Sequence, residues 1–194
     1  MNVQLANTME TRAGMTPACT IRAATAADAA VLADFGARTF ADTYAAYNDP
    51  ENLRLHLAAT YGAGRQASEI IDPNFATLLA WRSEHLAGFA QVQRGPAPPC
   101  VTCTAPIGLH RLYVDRAWHG SGIAPLLLAE VQRVALGFGG ATLWLMVWER
   151  NARALAFYAK AGFVDVGTAD FYVGTDRQTD RVLAMSLAEP PATT

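Results

Sequence analysis

A glycine-rich turn that runs directly into an apolar helix constrains this sequence more than any other feature. The segment WHGSGIAPLLLAE spans residues 118–130 and follows an apolar, strand-like run at 107–114. Gly120 and Gly122 permit positive φ and a close backbone approach, and the N–H groups from His119 onward converge at the helix N-terminus. Such a turn binds phosphate groups through backbone N–H groups and the helix dipole. A tight strand-to-helix turn without a ligand is the alternative that G-x-G alone leaves open.

Two common phosphate-binding loops do not fit this turn. A Walker loop needs Lys followed by Ser or Thr after its last glycine, and here Ile123 and Ala124 follow Gly122. A Rossmann loop needs Gly or Ala three positions after its second glycine, where this chain has Pro125. The sequence therefore disfavours both nucleoside triphosphate hydrolysis and dinucleotide binding.

Strand-like and helix-like periodicities alternate along the rest of the chain. The predicted strands are 19–24, 75–82, 85–93, 107–114, 141–148, 163–167 and 181–187. The predicted helices are 25–47, 51–61 with Pro50 in its first turn, 65–71, 123–136 and 152–161. Gly62 and Gly64 are expected to end the second of these helices, and Asn151 to cap the last. This alternation around one sheet predicts a mixed α/β fold.

Length and composition indicate a single domain. The chain has 194 residues, of which 52% are hydrophobic and 16% charged, which is typical of a compact soluble protein with a sizeable core. Its formal net charge of −2 provides no basic field for nucleic acid or an anionic membrane. We predict one domain over 18–188, with a loose leader at 1–17 and a tail at 189–194.

The sequence carries neither a signal-peptide pattern nor a membrane-spanning run. Residues 1–20 lack a basic start followed by an apolar core. No apolar stretch approaches the ~20 residues that a spanning helix needs. We therefore expect a cytoplasmic protein that binds neither membrane nor nucleic acid.

Cys100 and Cys103 form a C-x-x-C pair within a proline-rich loop. A structural zinc site would need a second pair, and His110 is the only further ligand candidate nearby. A thioredoxin-type motif would begin a helix instead. We interpret the pair as two thiols in a surface loop and expect no metal.

The region around the glycine turn resembles the core of the GNAT N-acetyltransferase superfamily. His119-Gly120-Ser121-Gly122-Ile123-Ala124 matches the Q/R-x-x-G-x-G/A motif, with His119 replacing the usual Gln or Arg. The N…A…FY…GF helix of that superfamily is matched by Asn151, Ala154, Phe157, Tyr158, Gly162 and Phe163. The resemblance covers 107–187 tightly. It implies a single, mostly antiparallel sheet of about six to seven strands with helices on both faces, and acetyl-CoA as co-substrate.

A narrower resemblance concerns the acceptor. The segments WLMVWERNARALAFYAKAGFVDVG and FYVGTDRQTDRVL are similar to PaiA-type bacterial polyamine acetyltransferases, as is the early RTFADTYAAYNDPENLRLHLAATY. This resemblance implies a primary amine acceptor such as spermidine or spermine. The proline-rich loop at 95–106 departs from that pattern.

The superfamily resemblance implies roles for particular residues. The acetyl group would lie beside the backbone of Leu112, Tyr113 and Val114, where strands 107–114 and 141–148 splay apart. Asn151 would contact the pantetheine arm, and the Tyr158 phenol would protonate the departing sulfur; a core-edge aromatic is the alternative for Tyr158. The implied cofactor-binding residues are Leu112, Tyr113, Val114, His119, Gly120, Ser121, Gly122, Ile123, Ala124, Asn151, Arg153 and Tyr158.

His110 is the candidate general base. A histidine titrates in the useful range, and this one lies where many relatives carry a glutamate. Strand alternation predicts that it shares a face with Leu112 and Val114, opposite Arg111 and Tyr113. A structural histidine is an equally good interpretation.

Other side chains have weaker functional interpretations. Arg150 and Arg153 could pair with coenzyme A phosphates, or be solvated. Trp144 and Trp148 share a strand face, which favours core packing over ligand stacking.

The acceptor side is suggested by charge. Acidic residues cluster at 28–51 and at 165–180, and they would either form acidic walls for a polycation or remain solvated.

We expect an N-acetyltransferase acting on a small-molecule amine by direct attack in a ternary complex. The alternatives are a protein or peptide N-acetyltransferase and a non-catalytic acetyl-CoA-binding regulatory module. A homodimer that covers a sheet edge is also compatible with the sequence.

Overall fold

In the computed structural model, residues 19–187 are described, so the predicted leader at 1–17 and tail at 189–194 lie outside the described residues. The strands are β1 Cys19–Ala23, β2 Phe75–Arg82, β3 His85–Gln93, β4 Pro106–Val114, β5 Thr142–Trp148, β6 Val164–Val173 and β7 Asp176–Ser186. The helices are α1 Ala29–Tyr44, α2 Pro50–Thr60, α3 Ala63–Ile71, α4 Ile123–Gly137 and α5 Ala152–Lys160.

One seven-stranded sheet runs in the order β1-β2-β3-β4-β5-β7-β6. Every neighbouring pair is antiparallel except β4 and β5, which are parallel. The connection between these two strands is α4, as a parallel crossover requires. The predicted mixed, mostly antiparallel sheet of six to seven strands is confirmed.

Helices cover both faces of the sheet. On one face, α4 and α5 pack against the largest apolar core, in which Leu127 and Val131 are fully buried. On the other face, α1 covers a second cluster around Phe35 and Phe89, and the aromatic cluster of Phe40 joins α1 to α2 and β6. Burial of this apolar surface is the main stabilising contribution to the fold.

The predicted helix starts are explained by local capping. Thr25 and Asp28 form a capping box ahead of α1, and Arg22 forms an ion pair with Asp28 at 2.7 Å. The Asp49 side chain accepts hydrogen bonds from the first backbone N–H groups of α2, and Pro50 takes the first helical position. Both arrangements satisfy N–H groups that a helix leaves without internal partners.

Two boundaries differ from the sequence predictions. Gly64 does not end a helix, because Gly62 precedes α3 and Gly64 lies inside it. The last two strands are longer than predicted and absorb the polar segment between them. Arginines on β7 pair with aspartates on β6, so polar residues are satisfied on the exposed face of this hairpin.

Across residues 19–187, no helix combines the length and apolarity needed to cross a bilayer.

Candidate active site

A split in the sheet forms a deep cleft. β4 and β5 pair only where Pro106–Leu109 faces Thr142–Leu145. Beyond that point β4 remains paired with β3 as far as Val114, while β5 stays paired with β7. The resulting opening of about 600 Å³ passes between the two strands and reaches both faces of the sheet. The splay expected between these strands is therefore present.

The glycine turn lies at one end of this cleft. Gly120 and Gly122 have φ of 79° and 85°, a left-handed conformation that favours glycine. Gly122 is the N-cap of α4 and no side chain caps this helix, so the N–H groups of Ile123 and Ala124 have no side-chain partner. The Ser121 hydroxyl instead donates to the carbonyl of Trp118 at 2.6 Å. The turn therefore offers backbone donors and a positive helix dipole to an anion.

His119 links this turn to β4 and α5. Its Nε2–H donates to the Val114 carbonyl at 3.0 Å, and its Nδ1 accepts a hydrogen bond from Arg153. A smaller recess of about 310 Å³ adjoins the turn and is lined by His119, Arg116, Arg150 and Arg153. These three guanidinium groups give the recess a positive charge that suits phosphate.

The backbone of β4 beyond Leu109 faces the opening. The Val114 carbonyl accepts from His119, across the edge that β5 has left, so the N–H of Val114 points to the same edge. Backbone groups alternate along a strand, which directs the N–H of Leu112 the same way. Two backbone donors therefore line the split without a neighbouring strand.

Asn151 joins the two sides of the cleft. Its side-chain oxygen accepts from the Ala154 N–H at 3.1 Å, which is the predicted helix cap. Its amide nitrogen lies 3.4 Å from the Tyr44 hydroxyl on α1. The same amide therefore orders the start of α5 and contacts the opposite helical layer.

Tyr158 points its ring into the split from α5. The residue is 8% exposed and packs edge-to-face with Phe157 and Phe163, yet it also lines the cleft. Burial, followed by the nearby Tyr44, raises the pKa of the Tyr158 phenol well above its usual value. The phenol therefore stays protonated at neutral pH, as a proton donor must.

His110 occupies an irregular position in β4. Gln91 of β3 faces Arg111, and the next β3 residue, Val92, faces Leu109, so His110 is an extra residue, a β-bulge. The expected alternation with Leu112 and Val114 is therefore wrong, because the bulge interrupts it. His110 packs edge-on against Phe75, while Leu112 and Val114 join the core beneath α4.

The surroundings of His110 disfavour its charged form. The ring lies at the cleft, packs against Phe75 and keeps part of its surface open to solvent. Burial, and secondly the charge of Arg111, lower the pKa of His110 to about 4. The imidazole is therefore neutral at pH 7 and a weak base.

A buried ionic network supports the β4 wall from behind. Arg111 forms an ion pair with Glu69 of α3 at 2.6 Å and a hydrogen bond with Gln91, and all three side chains are buried. The Arg111 guanidinium also lies over the Tyr61 ring at 5.4 Å. The network holds β4, β3 and α3 together just behind the cleft.

Nearly all the residues predicted for the site share this one cleft. The predicted residues that line it are His110, Leu112, Tyr113, Val114, His119, Gly120, Gly122, Ile123, Ala124, Asn151, Arg153 and Tyr158. Ser121 does not line it, because its side chain turns back to Trp118. Arg150 lies at the adjoining recess instead.

The far end of the cleft contains side chains that sequence analysis did not assign to the site. Trp144 and Trp148 line it, so both rings present part of their surface to the cleft. Tyr44, Phe171 and Asp180 line it as well. Asp180 was visible in the sequence only as one of many acidic residues, and nothing local distinguishes it.

The acidic walls expected for a polycation are absent from this cleft. Most of the clustered carboxylates are used elsewhere: Asp28, Asp42, Glu51, Asp165 and Asp170 each pair with an arginine, and Asp49 caps α2. Among the described residues that line the cleft, only Asp180 is acidic. The wall around it is aromatic and apolar.

The cysteines lie apart from the cleft. Within residues 19–187, no group of three His, Cys, Asp or Glu side chains is arranged to hold a metal ion. Cys19, Cys100 and Cys103 are free thiols, and Cys100 lies against Gly167 of β6.

Comparison with known proteins agrees with this geometry. Residues 38–163 match the acetyltransferase (GNAT) family. An uncharacterized N-acetyltransferase of Mycobacterium tuberculosis is 32% identical over 160 residues, which cover 82% of this chain and 98% of the relative. An uncharacterized N-acetyltransferase from Lactobacillus delbrueckii is 28% identical, over 77% of this chain and 86% of its own.

Solved structures share the fold at lower identity. The PaiA N-acetyltransferase of Thermoplasma acidophilum in complex with coenzyme A has a TM-score of 0.71 at 20% identity, covering 87% of this chain and 99% of that chain. The structure of yncA from Salmonella typhimurium with its cofactor acetyl-CoA has a TM-score of 0.68 at 19% identity, covering 91% and 98%.

Proposed function

The chain belongs to the GNAT acetyltransferase family, and from this premise we propose that it transfers the acetyl group of acetyl-CoA to a primary amine by direct attack in a ternary complex. The observation that carries the proposal is the cleft between β4 and β5, which joins an uncapped helix N-terminus to an aromatic chamber across the sheet. One end suits a phosphate-bearing ligand, and the other suits a small organic acceptor.

The residues present fit coenzyme A. Its pyrophosphate would be held by the N–H groups at the start of α4, where Gly120 and Gly122 allow close backbone approach. Arg153 and Arg150 add charge beside that turn. Asn151 lines the cleft between the two ends and would contact the pantetheine arm. When bound there, acetyl-CoA would supply the acetyl thioester for the transfer.

The β4 edge supplies the electrostatic part of catalysis in this proposal. The N–H groups of Leu112 and Val114 face the opening and would hydrogen-bond the carbonyl oxygen as negative charge develops on it. Loss of one such donor typically costs ~3 kcal/mol of transition-state stabilisation. Their position on a paired strand fixes their orientation before the reaction begins.

Tyr158 supplies a proton in this proposal. Its phenol remains neutral at physiological pH because burial raises its pKa. A thiolate that departs beside it would accept that proton, and the phenol would regain one from the positively charged nitrogen that the attack of the amine creates. The position of Tyr158 on α5, two turns beyond Asn151, keeps both side chains at the cleft.

We propose a primary amine as the class of acceptor. Polyamines are supported by the structural likeness to the PaiA N-acetyltransferase, at 20% identity. A protein acceptor is supported less strongly, by a structural likeness to the ribosomal-protein-S18-alanine N-acetyltransferase of Escherichia coli with a TM-score of 0.60. A non-catalytic acetyl-CoA-binding module would need neither the Tyr158 phenol nor an acceptor chamber.

Thiol release from acetyl-CoA tests this proposal. The panel should contain spermidine, spermine, alkylamines, arylalkylamines, aminoglycosides, amino acids and a lysine peptide. We expect saturable turnover with at least one free amine. Coenzyme A binding by calorimetry without turnover on any of them would contradict the enzyme and favour the regulatory module.

A further inference from the structure

Asp180 is a buried carboxylate at the cleft, and no basic side chain within residues 19–187 forms an ion pair with it. It lies on β7 directly across from Trp148 of β5, is 5% exposed and lines the cleft. Its Oδ1 makes no hydrogen bond to any part of the chain that the structure describes. Aspartates on the same hairpin are treated differently, since Asp165 and Asp170 each pair with an arginine.

An unpaired buried carboxylate is costly for a fold to retain. Removing a charged group from water without a partner disfavours its ionised form. Burial, and secondly the nearby Glu149, raise the pKa of Asp180 to about 7. A cation that enters the cleft would supply the missing partner and recover part of that cost.

The groups around Asp180 define what kind of cation fits. Tyr44 on α1 interacts with it electrostatically, and burial keeps the Tyr44 phenol neutral by raising its pKa. Glu149, in the loop after β5, adds negative charge. Arg153 also lines the cleft, where it hydrogen-bonds to His119 and interacts electrostatically with Tyr44. The Asp180 carboxylate therefore faces neutral aromatic side chains, and the nearby charge of Glu149 makes the local potential negative.

Most of the chamber around Asp180 is aromatic or apolar, and Thr43 and Gln178 are polar, uncharged exceptions. On β6, Phe171 and Val173 line it, and Trp144, Met146 and Trp148 line it on β5. Aromatic rings favour a cation near their faces and an apolar body between them. One carboxylate within such a wall matches one ammonium group attached to an apolar body, and among the described residues no second carboxylate lines the cleft to hold a polycation.

We infer that Asp180 binds the ammonium group of the acceptor and removes its proton, and that the acceptor is a primary amine on an apolar or aromatic body. This inference rests on the proposed function and specifies the acceptor side of the same site. His110 is then not the base. It lies instead on the β4 bulge against Phe75.

The proton balance of the step is simple. The carboxylate takes one proton from the ammonium group, which leaves a neutral amine with a free electron pair. That pair forms the new C–N bond, the C–S bond breaks, and the second nitrogen proton reaches the sulfur by way of Tyr158. Asp180 then releases its proton to solvent. An alkylamine of pKa ~10.4 is deprotonated in only about one of 2,500 molecules at pH 7, so this removal matters for rate.

The matched variants are Asp180→Asn and Asp170→Asn, which remove one carboxylate each from neighbouring strands of the same hairpin. With phenethylamine and acetyl-CoA, we expect Asp180→Asn to lower kcat/KM by at least ~100-fold and to abolish its rise with an apparent pKa near 7. We expect Asp170→Asn and His110→Ala to retain that rise, and all three variants to bind coenzyme A normally. Retention of more than about a third of kcat/KM in Asp180→Asn, with an unchanged pH profile, would overturn the inference.

A binding readout keeps the test independent of turnover. In the presence of coenzyme A, phenethylammonium should raise the Tm of the wild type and of Asp170→Asn but not that of Asp180→Asn. An equal rise in all three would overturn the role of Asp180, even if no amine supported turnover. A preference for spermidine over phenethylamine of about tenfold or more in kcat/KM would overturn the single-cation acceptor.

Discussion

The amide nitrogen of Asn151 lies 3.4 Å from the phenol oxygen of Tyr44, and this contact joins the start of α5 to the end of α1 across the cleft. The same side chain caps α5 through the Ala154 N–H. One residue thus links two helices on opposite faces of the sheet. Its two contacts are separable by substitution.

Asn151→Ala should lower the free energy of unfolding by about 1 kcal/mol, because α5 loses its N-cap acceptor. Asn151→Asp retains an oxygen for the Ala154 N–H while losing the donor to Tyr44. It should therefore keep most of the stability that the alanine variant loses. Urea unfolding of the three proteins measures both effects, and equal losses in the two variants would show that the cap is not the cause.

Tyr158→Phe should reduce kcat by about 10²-fold or more if the phenol acts as the proton donor. Its stability should change little, because the ring still packs against Phe157 and Phe163. Tyr172→Phe is the control, since that ring is exposed and does not line the cleft. Wild-type kcat in Tyr158→Phe, measured with saturating amine and acetyl-CoA, would remove the phenol from the mechanism.

Asp180 should make the stability of the protein depend on pH. Its folded pKa of about 7 lies above the ordinary 3.8, so the folded state binds the proton more tightly than the unfolded chain. The contribution to stability is therefore complete below about pH 4 and is lost as the pH rises through about 7. The asparagine in Asp180→Asn cannot ionise. As the pH rises between these limits, the free energy of unfolding of this variant should therefore increase relative to that of the wild type, by up to ~4 kcal/mol.

Thermal or urea unfolding at both ends of that range checks this prediction without ligands. Asp170→Asn serves as the control, because its carboxylate is partly exposed and pairs with Arg177. A constant difference between Asp180→Asn and wild type across the range would mean that the carboxylate is not desolvated in the folded state.

Gly122→Ala and Gly64→Ala should have opposite effects on stability. An added Cβ meets no atom within 4 Å at either position, so sterics with neighbours do not decide the outcome. Gly122 has φ of 85°, and a left-handed alanine costs about 1–2 kcal/mol. Gly64 lies within α3, where alanine should stabilise by roughly 0.4–1 kcal/mol. Urea midpoints that move in the same direction would contradict the backbone argument.

The buried pair of Arg111 and Glu69 should respond strongly to removal of one partner. Burial raises the pKa of Glu69. The opposing effect of its partners Arg111, Gln91 and Arg65 is larger, so the pKa of Glu69 lies below its usual value. Glu69→Gln leaves the Arg111 charge buried and should cost about 3–5 kcal/mol. The exposed pair of Glu51 and Arg54 is the control, and Glu51→Gln should have no measurable effect.

The dependence of the free energy of unfolding on pH in the acidic range gives a second test of the Arg111–Glu69 pair. A carboxylate with a lowered folded pKa contributes stability above its unfolded pKa and loses it as the pH falls through the folded value. Glu69→Gln should therefore lose less stability than the wild type on acidification. Parallel acid curves for the two proteins would indicate that Arg111 does not depend on Glu69.

The sequence alone determined the elements and the turn that define this fold. Apolar periodicity, Thr25, Pro50, Asn151 and the positive-φ glycines are local signals, because hydrogen bonds and φ preferences act over a few residues. The positions of the strands and helices, the uncapped start of α4 and the cap of α5 follow from them. Most of the predicted site residues reached one cleft because they lie on these elements.

The tertiary structure alone decided which carboxylate is buried at the cleft and where His110 lies. Asp180 is one of several similar aspartates in the sequence, and it differs only because distant segments bury it without providing a cation. The bulge that displaces His110 depends on how β3 and β4 register against each other. Desolvation and strand register are set by contacts between residues far apart in the chain, so a local sequence pattern does not predict them.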